Sequence, residues 1–340
     1  MNNHSPPIEQ SSTTPTPKRK STTNILILLF QTLLGFAILG YLIYQIGAEQ
    51  ILATISAIPL LVWSLLLVYT FLSVFITSLC YKSLIDPTCG KITPKEIFKY
   101  SLTTASLSRS FLGRYAEVTL IYFLKKRGVE YGRGISIFLV DKIITLITQL
   151  IISIIGVIFF FPSKPLLYAF IGLLIITGLS LLTLQSKPIK QFIKEKILRK
   201  YQSKFKQFSS TFHDLYYKHK SALILNTLFT LLRLILTGIA VYGVFHYLGS
   251  DVPLLETIII NTILMTASLI PLTANGIGIR ETLGVYLFGL YGVDPVVTVS
   301  AYLLFRITNY LFGILLLPHN IILYFKTRKE SIKKGTKETQ

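Results

Sequence analysis

Charge is scarce in this sequence, acidic charge above all. Asp and Glu number 15 against 34 Lys and Arg, and charged residues make up 14% of the 340. A water-soluble domain usually carries about a quarter charged residues, so a soluble globular protein is excluded. Cysteine is nearly absent as well. Cys80 and Cys89, the only two, make no disulfide framework, and no metal-ligand spacing includes them. Cys89 is expected to face the cytoplasm, where thiols stay reduced. No Ser/His/Asp set, paired-carboxylate site or HExxH motif is found, so no catalytic residue, metal or cofactor is expected. The glycine-rich run GIGIR is not read as a nucleotide loop, because that motif needs a preceding strand in a soluble βαβ unit.

Apolar residues are what the chain has in quantity: 51% of it, gathered in long blocks at 25–44, 60–80, 135–161, 166–184, 222–245 and 296–324. Each is long enough to cross about 30 Å of hydrocarbon at about 1.5 Å per residue. The expectation is an all-α integral membrane protein. The first block has a basic flank, but it is too long for a secretory h-region and no small-residue cleavage site follows, so it should remain as a helix.

The net charge of +19 is distributed as membrane topology demands, not as nucleic-acid binding would, and no nucleic-acid partner is expected. Lys18, Arg19 and Lys20 precede the first block, and Lys125, Lys126, Arg127 and Arg133 precede the third. A long basic stretch lies between the fourth and fifth, and another cluster follows the last. The connecting stretches 45–58 and 246–255 hold no Lys or Arg. By the positive-inside rule both termini and the basic stretch are cytoplasmic, where their cations can lie against anionic lipid headgroups. A cell-membrane, multi-pass location follows. His213, His219, His246 and His319 sit near span ends, and Tyr41, Tyr44, Trp63, Tyr242, Tyr247 and Tyr324 fit interfacial belts.

Parity then singles out two segments. Residues 100–124 begin and end on the cytoplasmic side, and Ser101, Thr103, Thr104, Ser106, Ser108, Arg109, Ser110, Gly113, Arg114 and Glu117 make them too polar for a lipid-facing span. A re-entrant hairpin shielded by other helices satisfies both constraints. Residues 256–291 begin and end outside. They read as an apolar arm, a break at PLTANGIG and a second arm from Arg280. Pro271 stops the first arm, while Asn275, Gly276 and Gly278 permit the turn. Two short full helices would preserve the parity equally. The organisation expected is a disordered cytoplasmic tail (1–23), a transmembrane domain (24–325) and a basic cytoplasmic tail (326–340). Inside the domain a first half at about 58–184, with the hairpin at 100–124, precedes a basic cytoplasmic segment (185–220). A second half follows at 221–325, with the hairpin at 256–291. In all, about six full transmembrane helices and two re-entrant hairpins are expected.

The two segments also resemble each other. Glu117 is followed eleven residues later by Gly128-Val129-Glu130, and Glu281 by Gly292-Val293-Asp294. An Arg stands close before each Glu, Arg114 and Arg280. Each copy then enters a long apolar span bearing a charge, Asp141 in one and Arg306 in the other. One copy enters from each face, which makes an inverted-topology repeat of the kind found in alternating-access transporters. Charges at mid-helix cost about 2.5–3.5 kcal/mol each on insertion scales, so Arg114, Glu117, Asp141, Arg233, Arg280, Glu281 and Arg306 must face one another or a watery cavity. Arg280 and Glu281, about 100° apart on a helix, each need a partner elsewhere. Two readings remain open: buried ion pairs that lock helices together, or a polar cavity for a charged headgroup. In the second, backbone N–H groups exposed at the glycine-rich break attract phosphate, and Arg280 binds it bidentately. Ser106, Ser108 and Thr273 are expected to satisfy backbone groups.

With these residues in hand, the chain resembles the lysylphosphatidylglycerol synthase transmembrane-region family of flippase-like membrane proteins over about residues 25–325. The run Pro271-Leu-Thr-Ala-Asn-Gly-Ile-Gly-Ile-Arg-Glu281 is similar to that family's Pro, paired-Gly, Gly, Arg-Glu signature, with Asn275 where a Gly is usual. The earlier Arg-x-Gly-Glu pattern stands here as Arg114-Tyr115-Ala116-Glu117. Ala116 replaces Gly, and the Arg that usually follows is missing. Asp141-Lys142 occupies a place where the family often has a charged pair. The resemblance implies lipid handling: a translocase moving a polar-headed phospholipid or lipid-linked glycan between leaflets, as a stand-alone member without the soluble synthase domain. Arg114 and Arg280 would hold phosphate, and Glu117 and Glu281 would hold the arginines or sense protons. Asp141, Asn275, Gly276, Gly278 and Arg306 would complete the path. Other readings are an ion- or proton-coupled transporter of a small anion, or a partner of a separate lipid-modifying enzyme. A lipid-linked transferase would need a metal-binding acidic motif, and none is found. A homo-oligomer is a further possible partnership.

Overall fold

A computed structural model describes residues 22–90, 92–110, 117, 119–160, 168, 171–172, 202–269, 272–318 and 320. Arg114, Pro271 and the apolar block at 166–184 apart from residues 168, 171 and 172, all singled out in the sequence, lie outside these residues. The described residues form helices and connecting turns, with no strand among them. In chain order these are α1 (Thr22–Ile46), α2 (Ala48–Ser56), α3 (Leu60–Cys89), α4 (Pro94–Ser110), α5 (Thr119–Lys126) and α6 (Tyr131–Phe160). Then come α7 (Gln202–Tyr217), α8 (Lys220–Tyr247), α9 (Leu254–Ala267), a 3₁₀ turn (Ala274–Gly276), α10 (Ile279–Gly289) and α11 (Pro295–Leu315).

Five helices, α1, α3, α6, α8 and α11, are long and apolar enough to cross a membrane by length and composition. They coincide with five of the six apolar blocks. Their outward faces carry Phe30, Leu61, Leu65, Phe159 and Ile224 exposed, which hydrocarbon tolerates and water does not. Inside, α8 packs against α3, α6 and α9, and α6 against α9. The contact between α8 and α9 is close because Gly238 has no side chain: a Cβ there would lie 2.9 Å from the Ile258 Cα. Val241, Phe245, Ile260, Ile263, Leu264, Phe288 and Tyr302 fill the main core.

Two features differ from the sequence expectation. The stretch 45–58 is not a bare connection, for it contains α2, which packs against α11 and α1. The polar segment expected from 100 begins as helix at Pro94. Its polar side chains do find shelter: Ser101, Thr103, Thr104 and Ser106 are buried where α4 packs between α3 and α11. Ser106 donates to the Gly313 carbonyl at 2.9 Å, the backbone-satisfying role expected of it.

α4 and α5 span about 25 and 12 Å, and α9 and α10 about 21 and 17 Å, at about 1.5 Å per residue. All four fall short of a bilayer's thickness. Outside the long helices, α7 lies against α6, α3 and α8. At its end Lys218 donates to Asp214 at 2.7 Å, and that hydrogen bond holds the exposed Asp214 carboxyl below its usual range.

Candidate functional site

The break between α9 and α10 sets the geometry of the second half. Asn275 takes a left-handed backbone with φ 54°, and Gly276 and Gly278 follow with φ 66° and 82°. Gly278 also lies under α1, where a Cβ would sit 2.8 Å from the Ile38 Cβ and 2.9 Å from the Gly35 carbonyl oxygen. Sterics and backbone conformation both require glycine there. Asn275 itself is exposed.

The turn is tied down by one carboxylate. Glu281, 1% exposed, stands at the third position of α10 and accepts the Gly278 N–H on Oε2 at 2.8 Å. Its Oε1 receives both Nε and Nη2 of Arg306 from α11, each at 2.7 Å. Arg306 also reaches toward the Gly276 carbonyl at 3.4 Å. A negative charge at a helix N-terminus is favourable, and here it comes from the chain itself. This corrects one expectation: the helix start read as an open phosphate site has its N-cap amide taken by Glu281, whose charge repels an incoming anion. It also bears on Thr273, whose hydroxyl is buried without a hydrogen-bond partner rather than satisfying backbone.

Arg280 points elsewhere, as adjacent residues on a helix must. Its Nη2 donates to the Asn261 side-chain oxygen in α9 at 2.8 Å, and its guanidinium carbon lies 4.9 Å from the centre of the Tyr302 ring in α11. Its Nε is buried and makes no hydrogen bond. No carboxylate among the described residues forms a salt bridge with it. Arg280 and Glu281 have separate partners, as the 100° argument requires.

In the first half, Glu117 pairs with Lys142 of α6 at 2.7 Å, and Lys142 lies 3.7 Å from Asp141. Asp141 is fully buried. Its Oδ1 accepts from Asn226 of α8 at 3.2 Å, and the same amide nitrogen donates to the Cys80 carbonyl of α3 at 2.8 Å. Asn226 thereby links three helices, α8 to α6 through Asp141 and to α3 through the Cys80 carbonyl. Arg233 of α8 donates to the Thr77 and Thr145 hydroxyls at 3.2 and 3.1 Å. Arg109 of α4 lies 5.3 Å from the Phe312 ring centre, with Nη1 buried and unpartnered.

The two halves share a chemical pattern. Glu117 meets Lys142, and Glu281 meets Arg306, twenty-five residues on in both cases. Between them, α5 and α10 end alike. Val129 N–H reaches back to the Leu124 carbonyl and Gly128 to Lys125, while Val293 reaches Phe288 and Gly292 reaches Gly289. The counterpart of Arg306 is therefore Lys142, not Asp141 as the sequence comparison had it. The site expected from sequence is thus partly assembled: Glu117 and Asp141 share Lys142, Glu281 and Arg306 pair across the Gly276–Gly278 turn, and Arg280 stands beside them on Asn261. Sequence reading gave no role to Arg109, Lys142, Asn226, Asn261 or Tyr302. Asn226 and Asn261 had a usable signal, each being a carboxamide within a long apolar run. Among the described residues no three His, Cys, Asp or Glu lie close enough to hold a metal.

Comparison with known proteins agrees with this architecture. The family described as the lysylphosphatidylglycerol synthase TM region matches residues 27–316, a stretch that takes in every charged group above. No curated protein matches the chain. A bundle of several apolar helices matching that family along most of its length is a multi-pass membrane protein, and the chain belongs to the lysylphosphatidylglycerol synthase transmembrane-region family.

Proposed function

We propose that the chain is a non-catalytic lipid translocase that moves a polar-headed phospholipid or lipid-linked glycan between leaflets. The observation that carries this reading is Arg280: a guanidinium within the helical bundle, held among the described residues by a neutral amide and a ring face, with Nε unsatisfied. A charge that serves only to lock helices would be matched by a carboxylate, as Arg306 is. Arg280 is instead oriented and left with donors free, which suits a phosphate that comes and goes.

In this reading α4–α5 and α9–α10 are re-entrant hairpins, one from each face, within an inverted repeat that has about six full spans. Support comes from arms too short to cross a bilayer, the shared twenty-five-residue pairing and the matching glycine closures. The termini and basic segments lie in the cytoplasm of a cell membrane, where their cations contact anionic headgroups. A second copy or a lipid-modifying enzyme are the protein partners this arrangement allows. An Arg280→Gln variant reconstituted in liposomes is expected to fold, insert and lose translocation of a fluorescent phospholipid. Normal movement by that variant would refute the role. The same guanidinium suits a small free anion, and uptake of solute in vesicles lacking a transported lipid would favour that second reading.

A further inference from the structure

The charges inside the bundle are unevenly matched. Arg306 closes on Glu281, while Lys142 alone serves both Glu117 and Asp141. Arg109, Arg233 and Arg280 have no carboxylate in salt-bridge contact among the described residues. Among the described residues, five cations thus face three carboxylates, an excess of two positive charges there. Each unmatched arginine is held by neutral groups: Arg233 by two threonine hydroxyls, Arg280 by an amide and a tyrosine ring, Arg109 by a phenylalanine ring. Such partners fix a guanidinium's direction without cancelling its charge. Two of the three also keep a buried N–H that makes no hydrogen bond: Nη1 of Arg109 and Nε of Arg280.

These arginines stand at different levels. Along α11, Tyr302 beside Arg280 is about 10 Å from the Pro295 end, while Phe312 beside Arg109 is about 25 Å from it, at about 1.5 Å rise per residue. Arg233 sits midway along α8, about 20 Å from either end by the same rise. Arg306, between the outer two on α11, is already neutralised.

We propose that Arg280, Arg233 and Arg109 form a three-level ladder that passes a phosphate-bearing anion through the bundle. Its cargo carries net negative charge, as a phosphomonoester or diphosphate head does. A zwitterionic head would leave the excess uncancelled and is disfavoured. The lipid identity of the cargo rests on the translocase reading; the ladder and its sign do not.

The test uses the full chain in liposomes with fluorescent phosphatidic acid and phosphatidylcholine, read by dithionite quenching against protein-free vesicles. Wild type is expected to move phosphatidic acid at least tenfold faster than phosphatidylcholine. Arg233→Gln and Arg109→Gln should each slow it at least tenfold, while Arg233→Lys retains most of the rate. Equal rates for the two lipids, or full rates in both Gln variants, would overturn the ladder. Radiolabelled inorganic phosphate taken up by wild type but not by Arg233→Gln would keep the ladder and remove the lipid translocase. If no probe moves, the translocase reading falls, and the ladder is decided by dioctanoyl phosphatidic acid in detergent. A rise in melting temperature for wild type that Arg233→Gln abolishes supports it; no rise in wild type sinks it. Should Arg233→Gln fail to elute as a folded species, Arg109→Gln and Arg233→Lys carry the same comparison.

Discussion

Glu281→Gln separates a structural clamp from a transport group. The carboxylate makes two kinds of bond at once, with the Gly278 N–H at 2.8 Å and with two Arg306 nitrogens at 2.7 Å, in a site 1% exposed. Glutamine keeps the volume but has one acceptor oxygen, so either the cap or the arginine loses its partner, and Arg306 is left charged with nothing to oppose it. Breaking a buried pair from one side costs roughly 3–5 kcal/mol. The conserved shape and the surviving hydrogen bond place this variant near the lower figure, about 3 kcal/mol. A melting temperature lower by on the order of 5–10 °C is expected, read as the fraction still eluting as a monodisperse peak after heating in detergent. Glu281→Gln combined with Arg306→Gln removes the stranded charge and should recover at least half of the loss. If Glu281→Gln melted with the wild type yet lost transport, the clamp would be wrong, and the carboxylate would belong to the cargo's path.

Gly278→Ala is expected to lower stability by about 2–4 kcal/mol, from a positive-φ backbone and overlap with α1. Gly40→Ala, with nothing within 4 Å of the new Cβ, is the control and should melt within a degree or two of wild type in the same heating assay. Gly238→Ala, which pushes a Cβ to 2.9 Å from the Ile258 Cα, should separate α8 from α9 at a cost of about 1–3 kcal/mol, seen as a lower melting temperature. Asn226→Leu strips the Cys80 carbonyl and Asp141 of a shared donor, a loss of about 1–3 kcal/mol. Adding Asp141→Asn should return part of that loss, because a neutral group replaces the stranded charge.

Helices were legible in this sequence wherever membrane physics leaves no choice. An apolar run of twenty residues has one stable form in hydrocarbon, and the five long helices fall where the runs are. The polar segment with Ser101, Thr103, Thr104 and Ser106 was legible by the same logic inverted, since lipid cannot face it and other helices must. Helix α2 was not legible. Nine residues in a short connection carry no span signal, and their helical form is stabilised by packing on α11 and α1, a tertiary effect. Pairings were legible only in part. That Arg280 and Glu281 cannot pair follows from helix geometry alone. That Glu281 takes Arg306 depends on how α11 crosses α10, which no local pattern encodes; its bond to the Gly278 N–H three residues back is local to the start of α10. The likeness of the two segments was visible through Gly-Val, but the group whose pairing matches that of Arg306 is Lys142 and not Asp141, because sequence shows where a charge lies and not which way it faces.

The glycine-rich turn gains a different meaning from this geometry. Two glycines and an asparagine beside an arginine invite the reading of an anion loop, in which bare amides take phosphate. In this fold, Gly278 is glycine because α1 passes over it, and the amide it exposes is claimed by Glu281. The turn's task is to hold α10 at an angle that presents Arg280 to Asn261 and Tyr302, while Glu281 on the adjacent face neutralises Arg306. One helical step of about 100° thus divides the pair into an anchor and a cation that has no salt-bridge partner among the described residues. A Lys at 280 would keep the charge and lose the planar fork that reaches the Asn261 oxygen and lies near the Tyr302 ring together. Arg280→Lys should therefore fold normally and move lipid more slowly than wild type but faster than Arg280→Gln. An Arg280→Lys rate equal to wild type would mean that charge alone, and not the oriented guanidinium, is what the turn exists to present.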